Sequence, residues 1–217
     1  MDRKKARKRS AAARRQAWNK GMKVGKKDPF TPDQVKRIRG VLMKRNASGL
    51  RDLALFSTAI DTMLQGRDLL ELLVRDVQDR NGSIRSTIKV SKKRGGALVR
   101  CALSKPTAKA LEKWLADSSK KPGDYLFPGR GRKGNRPLTQ RQFSQLVKLW
   151  VADAGLDPGN YGLDSLRRTK ALHILKGTGD LQTVRVLLGH ARIEGLARFL
   201  GLKTSSDPLE VCRAFDI

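Results

Sequence analysis

Residues 163–190 read LDSLRRTKALHILKGTGDLQTVRVLLGH, the most informative stretch of this sequence. It predicts two helices, one over DSLRRTKALHILKG and one over DLQTVRVLLGH. Adjacent arginines, Arg167 and Arg168, lie in the first helix, and a Gly–His pair at His190 follows the apolar run of the second. Phe199 lies nine residues beyond His190. His190 therefore either ends a helix by chance or belongs to a site in which an inert side chain has replaced a reactive one.

The segments on the N-terminal side predict a mainly α fold with one small antiparallel β-hairpin. Helices are expected over FTPDQVKRIRGVL, capped by Thr31, over SGLRDLALFSTAIDTML and over RDLLELLVRDV. The helical spacing of apolar residues then ends. SIRSTIKV and GALVRCAL are two short segments rich in β-branched residues, and they predict a hairpin with a basic tip. Further helices are expected over SKPTAKALEKWLADS and over LTQRQFSQLVKLWVADAG, from Thr139 to Gly155, and a last short one over DPLEVCRAFDI.

The charge of the chain indicates a polyanionic partner. Its 217 residues carry 47 Lys and Arg against 20 Asp and Glu, a net charge of +27, and nucleic acid is the first candidate. No apolar run reaches the ~18 residues that span a bilayer, and no apolar segment follows the basic start, so neither a membrane partner nor a secretory signal is expected. Cys101 and Cys212 lie outside any CxxC motif, which argues against zinc and favours a reducing cytoplasm.

Two regions are expected along the chain. Residues 1–27 hold twelve Lys or Arg and one acid, and they predict a flexible basic arm that binds DNA phosphates. A solubilising tail is the alternative for this arm. Residues 28–217 are expected to form the folded domain. With about 27 residues before it, a preceding helical DNA-binding domain is not expected.

Three parts of the sequence, in order, resemble the catalytic domain of the tyrosine recombinase, or phage integrase, family. Residues 163–190 are similar to the family's H-x-L-R-(H/R)-T helix and the L-G-H that follows it. AIDTMLQGRDLLELLVRDV is similar to the helix of the family's first arginine, and SKK at the hairpin tip to its lysine hairpin. The resemblance runs from about Phe30 to near the C-terminus, and it implies the family's catalytic-domain fold.

The resemblance also implies a chemistry. In the family, two arginines clamp the scissile phosphate, a hairpin lysine protonates the leaving 5′ oxygen, and histidines assist proton transfer and bind the phosphate. A tyrosine attacks and forms a 3′-phosphotyrosyl link, and neither a metal nor another cofactor is needed. Forked guanidinium groups suit this task because they hold the non-bridging oxygens bidentately as charge develops on them.

Three positions keep the family's residue. Arg167 matches the second clamping arginine, and His190 matches the phosphate-binding histidine. Lys92 best matches the hairpin lysine, with Lys93 as competitor. Each residue also has a simpler interpretation. Arg167 could be a solvated helix arginine, His190 a helix terminus, and Lys92 part of a solvated hairpin tip.

Three positions depart from the family pattern. Gln65 stands where the first arginine is expected, and Arg67 lies about 200° further around the helix. Asp164 stands at the histidine of the H-x-L-R motif, where it would act as a base or cap the helix. Phe199 stands at the position of the nucleophile and has no oxygen. The only tyrosines, Tyr125 and Tyr161, lie upstream of the motif.

DNA contacts are expected from basic and amide side chains. The helix that opens with LTQRQFSQ occupies the position at which the family places a helix in the major groove. Its Gln140, Arg141 and Gln142 suit base edges, although a helix start that contacts only phosphates is the alternative. Other cations expected to contact DNA are Arg67, Lys93, Arg94, Arg130, Arg132, Lys133, Arg136, Arg168 and Lys170, with Arg7, Arg9, Arg14 and Arg15 of the arm.

The sequence predicts a sequence-specific, double-stranded DNA-binding protein that has lost strand-transfer activity. A regulator or accessory factor of a bacterial mobile element or plasmid, in the cytoplasm or nucleoid, fits this prediction. An active recombinase, or one inactivated by an engineered Tyr-to-Phe change, is the first alternative, although three substitutions together favour natural decay. A non-specific nucleoid or ribosomal protein is the second alternative. DPLEVCRAFDI is long enough to be exchanged between protomers in a homo-oligomer.

Overall fold

The computed structural model describes residues 25–45, 47–91, 98–129 and 136–202. Within these ranges the fold is mainly helical with a single two-stranded sheet, as predicted. The helices are α1 (Pro32–Met43), α2 (Ala47–Thr62), α3 (Gly66–Leu70), α4 (Val74–Val77), α5 (Lys105–Ser118), α6 (Gln140–Asp153), α7 (Leu163–Thr178), α8 (Leu181–Leu188) and α9 (Ile193–Leu200), with a 3₁₀ turn at Pro158–Asn160.

The predicted hairpin is present. Strands β1 (Thr87–Ser91) and β2 (Leu98–Ala102) pair antiparallel, with Val90 opposite Val99. Every second residue of each strand is buried, so the hairpin covers the core with one face and meets solvent with the other.

One helix prediction near the site needs correction, and one helix was missed. The segment RDLLELLVRDV forms two short helices, α3 and α4, rather than one. Between them the chain pairs with residues 124–126: the N–H of Leu126 donates to the oxygen of Leu72 (2.8 Å), and the N–H of Val74 donates to the oxygen of Asp124 (3.0 Å). Helix α9 was not predicted, although Leu196, Ala197 and Leu200 follow a helical spacing and are buried.

Capping fixes where α6 begins. The hydroxyl of Thr139 accepts a hydrogen bond from the N–H of Gln142 (3.2 Å), and the Gln142 side chain accepts one from the N–H of Thr139 (2.9 Å). Gly155 follows the helix in the left-handed conformation (φ 66°), which glycine adopts without strain. The predicted start at Thr139 and end at Gly155 are therefore confirmed.

The hydrophobic core has two parts. The larger part surrounds Trp150 and Phe56, whose rings contact edge to face. The smaller part joins the end of α2 to α7, α8 and α9 through Met63, Val184 and Leu196. Leu196 and Leu200 of α9 are buried in the smaller part, and Phe199 packs against it. This cluster therefore fixes α9 relative to α7 and α8. None of the helices in the described ranges is long and apolar enough to cross a membrane.

Candidate functional site

An open cavity of about 830 Å³ brings together five of the six residues assigned to the family's active-site positions. Gln65 precedes α3, Asp164 and Arg167 lie in the first turns of α7, His190 follows α8, and Phe199 lies in α9. Residues that are 134 positions apart in sequence thus share one cavity. The sixth, Lys92, lies outside the described residues.

Arg167 is a buried cation of this cavity, with 6% of its surface exposed, and its neighbour Arg168 is buried in the same wall. The Nε of Arg167 donates to the backbone oxygen of Met63 (2.9 Å), while its Nη2 is buried without a hydrogen-bond partner among the described residues. Burial lowers the pKa of Arg167, and the charges of Asp164 and Asp68 counteract this shift. An arginine remains protonated at neutral pH, so its second nitrogen presents an unsatisfied donor.

Phe199 contacts two of the three retained family residues, Arg167 and His190. Its ring centroid lies 4.8 Å from the Cζ of Arg167 and 5.4 Å from the imidazole centroid of His190. A cation over the face of an aromatic ring is attracted by the ring quadrupole, so Phe199 holds the guanidinium in place. No atom of this side chain can attack a phosphorus.

His190 is placed by the end of α8. Gly189 adopts the left-handed conformation (φ 57°) that ends the helix, and the N–H of His190 donates to the oxygen of Arg185 (3.0 Å). The Arg185 guanidinium in turn donates to the oxygens of His190 (3.1 Å) and Ala191 (3.2 Å). The Gly–His pair is therefore both a helix end and the means by which the imidazole reaches the cavity.

Asp164 is a partner of Arg167 and not a helix cap. Its Oδ1 lies 3.9 Å from the Nη1 of Arg167, and 68% of its side chain is exposed. The N-cap of α7 is Gly162, whose N–H donates to the Oγ of Ser165 (3.0 Å). The capping interpretation of Asp164 is therefore wrong.

Gln65 and Arg67 both border the cavity and are exposed. Gln65 is the N-cap of α3, but its side chain makes no capping hydrogen bond. The neutral amide stands where the family pattern expects a cation.

Two cations expected to contact DNA have internal partners. The Nη1 of Arg168, which is 7% exposed, donates to the backbone oxygen of Lys27 (2.6 Å). The ammonium of Lys170 lies 2.9 Å from a carboxylate oxygen of Asp61, which is buried. Both cations hold elements of the fold together, so we no longer expect them to contact DNA.

The start of α6 presents part of the expected base-reading set. Gln140 lines the cavity, and Arg141 is exposed next to it. The Oε1 of Gln142 is occupied by the capping of α6, which corrects the expectation that this amide reads a base. Arg136 is exposed and borders a smaller cavity together with Arg67 and Gln140.

The remaining expected contacts lie outside the described residues: Lys92, Lys93, Arg94, Arg130, Arg132, Lys133, Arg7, Arg9, Arg14 and Arg15, together with the C-terminal segment DPLEVCRAFDI.

Three basic cavity residues were not assigned to the site from the sequence. Lys26 and Lys27 line the cavity, although they had been placed in the basic arm, and Arg198 lines it from α9. Arg198 immediately precedes the nucleophile position, and this was the signal available in the sequence. Among the described residues, no group of three or more His, Cys, Asp or Glu side chains is arranged to hold a metal ion.

Neither tyrosine of the chain lines the cavity. The Tyr161 ring stacks on Phe30 at 4.4 Å, and its hydroxyl accepts a hydrogen bond from the Nε2 of Gln34 (2.9 Å). Tyr125 pairs with Leu73 in an isolated β-bridge. Both tyrosines are thus built into other parts of the fold.

Comparison with known proteins relates this chain and its fold to tyrosine recombinases. A family model described as the phage integrase family matches residues 29–204. Tyrosine recombinase XerD of Xanthomonas axonopodis pv. citri (strain 306) is 30% identical over 172 residues, which cover 76% of this chain and 55% of that protein. The probable integrase/recombinase YoeC of Bacillus subtilis (strain 168) is 24% identical over 78% of this chain and 86% of that protein. The chain spans about half the length of its XerD and XerC relatives.

Solved structures show the same fold. XerA recombinase superposes with a TM-score of 0.67 at 22% identity, over 87% of this chain and 65% of that one. XerH recombinase, bound to its difH substrate before cleavage, gives a TM-score of 0.66 at 22% identity, over 87% and 54%.

Proposed function

This chain belongs to the phage integrase family of tyrosine recombinases, and from that membership we propose that it is a sequence-specific duplex-DNA-binding protein without strand-transfer activity. It holds a backbone phosphate at Arg167 and His190 and forms no covalent bond to it. XerH, a structural neighbour, is a site-specific recombinase captured on a palindromic difH site, which supports duplex DNA as the ligand.

The observation that carries this proposal is the position of Phe199. Its ring lies against both Arg167 and His190, and neither tyrosine borders the cavity. Covalent catalysis splits a difficult displacement into two easier steps, but only where an activated nucleophile can attack. Phenylalanine supplies no such group, so phosphate binding is the function that remains.

The cavity residues suit a bound phosphodiester. The Nη2 of Arg167 supplies a donor in a desolvated setting, where a hydrogen bond to an anion is stronger than in water. Among the described residues that line the cavity, Asp164 is the one acidic side chain, whereas Arg67, Arg198 and Lys26 add positive charge at its rim. A polyanion is therefore attracted even though Gln65 contributes no charge.

We further propose how the rest of the chain serves this binding. Gln140 and Arg141 at the start of α6 contact base edges and supply sequence preference, while Arg136 contacts the backbone. Residues 1–24 act as a basic arm on the same duplex. Lys26 and Lys27, which the sequence predicts in that arm, line the cavity, so the DNA-binding domain begins at residue 25. The protein regulates or assists a mobile element or plasmid in the bacterial cytoplasm.

A covalent-trapping experiment tests the proposal. The DNA site is first obtained by unbiased selection, and the protein is then incubated with a nicked suicide substrate that carries it. We expect a retarded complex on a native gel and no protein–DNA band on a denaturing gel. A covalent band from the unaltered chain would contradict the proposal and favour an active recombinase.

Two variants separate the loss of the nucleophile from the other substitutions. Phe199→Tyr alone is expected to form little covalent complex, because Gln65 and Asp164 still lack the family's arginine and histidine. The triple variant with Gln65→Arg and Asp164→His is expected to form more. If Phe199→Tyr alone restored full trapping, those two substitutions would be tolerated, and an engineered or recent loss of the nucleophile would be the better explanation.

A further inference from the structure

Residues 25–28, which we call the N-terminal strap, form one wall of the cavity. Gly25, Lys26 and Lys27 line it alongside Arg167, His190 and Phe199. The family pattern that identifies the other cavity residues assigns nothing to this segment. Its role therefore has to be inferred from its contacts.

The strap is attached to the domain at several points. Arg168 donates to the backbone oxygen of Lys27 (2.6 Å), and the Lys27 ammonium donates to the oxygen of Gly159 (2.7 Å). The N–H of Asp28 donates to the oxygen of Asn160 (2.8 Å). Two residues after the strap, Phe30 is buried and its N–H donates to the hydroxyl of Thr169 (2.9 Å). These bonds fix the strap against α7 and the 3₁₀ turn that precedes it.

Lys26 extends from the strap to the C-terminal end of α9. Its ammonium lies next to Gly201, the residue that ends that helix: a β-carbon added to this glycine would be 3.7 Å from the Lys26 nitrogen. The C-terminus of a helix carries partial negative charge and attracts a cation. The helix end thus favours the Lys26 ammonium at the cavity wall, while the side chain stays exposed to an incoming ligand.

We propose that Lys26 is a phosphate-binding residue of this cavity and supplies the positive charge that Gln65 does not. The inference rests on the proposed function, since it takes a DNA phosphate as the ligand. Arg167 contributes one forked group and Gln65 is neutral, so a further cation at the cavity wall strengthens the attraction for the phosphate. Lys26 supplies it as a point charge with rotatable donors, held on an anchored segment.

Substitution of Lys26 tests the inference. Lys26→Ala removes one phosphate contact, so the slope of log affinity against log salt is expected to fall by about 0.9. The affinity at about 0.15 M salt should fall on the order of fivefold. Lys113→Ala is the matched control, because Lys113 is exposed on α5, does not line the cavity and carries the same charge. Equal slopes for the two variants would overturn the inference.

A compensating change makes the test specific. If Lys26 replaces the missing arginine, Gln65→Arg should restore the slope and affinity of Lys26→Ala, and should help the unaltered chain less. Such non-additivity is expected when two side chains serve one ligand. Strictly additive effects would mean that Lys26 acts elsewhere on the DNA.

Arg167→Ala separates the two proposals. A loss with Arg167→Ala and none with Lys26→Ala would overturn the role of Lys26 and leave DNA binding at the cavity in place. No effect of either variant would overturn phosphate binding at the cavity itself. Circular dichroism of each variant, compared with that of Lys113→Ala, shows whether the fold is retained.

Discussion

At the scale of single residues, spacing was informative where the family pattern is rigid. Arg167 and His190 could be placed in one site because each has a fixed offset within residues 163–190. Local competition for hydrogen bonds could not be foreseen. Gln142 caps its own helix, and Lys170 neutralises Asp61, because burial and capping decide these pairings after the chain has folded.

Asp164 provides the clearest test at this scale. Its carboxylate lies 3.9 Å from the Nη1 of Arg167 and competes with a phosphate for that guanidinium. Because the pair is largely exposed on the Asp164 side, its strength is modest. Asp164→Asn is therefore expected to raise the affinity for DNA about two- to fivefold, as measured by fluorescence anisotropy at fixed salt.

Asp33→Asn is the control for that measurement. Asp33 is exposed on α1, lies 3.7 Å from the cation of Lys36 in the same i,i+3 relation, and is not a cavity residue. Asp33→Asn changes the net charge by the same amount as Asp164→Asn. Because Asp33 lies outside the cavity, its substitution is expected to leave the affinity for DNA almost unchanged. An equal gain from both variants would assign the effect to net charge and not to Arg167.

At the scale of elements, periodicity predicted most helices and the hairpin, but not the break between α3 and α4. Arg67, Glu71 and Arg75 recur at helical spacing among buried leucines and valines, so the pattern runs through the break and does not show where the helix stops. The break arises from pairing with residues 124–126, which are about fifty positions away. Pairing at that distance is invisible to a local pattern.

Asp61 at the end of α2 joins three elements and makes stability depend on pH. Its Oδ2 accepts hydrogen bonds from the N–H (2.8 Å) and hydroxyl (2.6 Å) of Ser104, and its Oδ1 pairs with Lys170 of α7. Burial alone would raise the pKa of Asp61, but hydrogen bonds from Ser104, Thr107 and Lys170 outweigh it, and the pKa is lowered. The charged carboxylate therefore stabilises the folded state.

Asp61→Asn is expected to lower the free energy of unfolding at pH 7 by about 2–3 kcal/mol, since charge-assisted hydrogen bonds are lost. A lowered folded-state pKa contributes stability above the unfolded value near 3.9, and this contribution is lost as the pH falls through the folded pKa. The difference between the two proteins should thus shrink below about pH 4 in urea titrations. The exposed control Asp33→Asn should change the free energy by less than about 0.5 kcal/mol, and a pH-independent difference for Asp61→Asn would contradict the argument.

At the scale of the whole molecule, composition indicated the ligand class but not the shape of the site. A net charge of +27 predicts a polyanion partner wherever the cations lie. The cavity, by contrast, depends on six segments that meet beside the small core: the N-terminal strap, the starts of α3, α6 and α7, the residue after α8, and α9. The N-terminal strap belongs to that site only through folding, because residues 25–28 lie some 140 positions before Arg167 and share no motif with it.

The overall charge yields a prediction about salt. If the domain and the basic residues 1–27 neutralise six to ten phosphates, affinity should fall on the order of 10³- to 10⁵-fold between 50 and 200 mM salt, because bound cations release condensed counterions. Titration of the selected site and of a random duplex across this range measures the slope for each. We expect steep slopes for both and tighter binding of the selected site throughout, since base contacts add a salt-independent preference to the shared phosphate contacts. Equal affinity for the two duplexes would favour a non-specific nucleoid protein, and a shallow slope for both would contradict the electrostatic basis of binding.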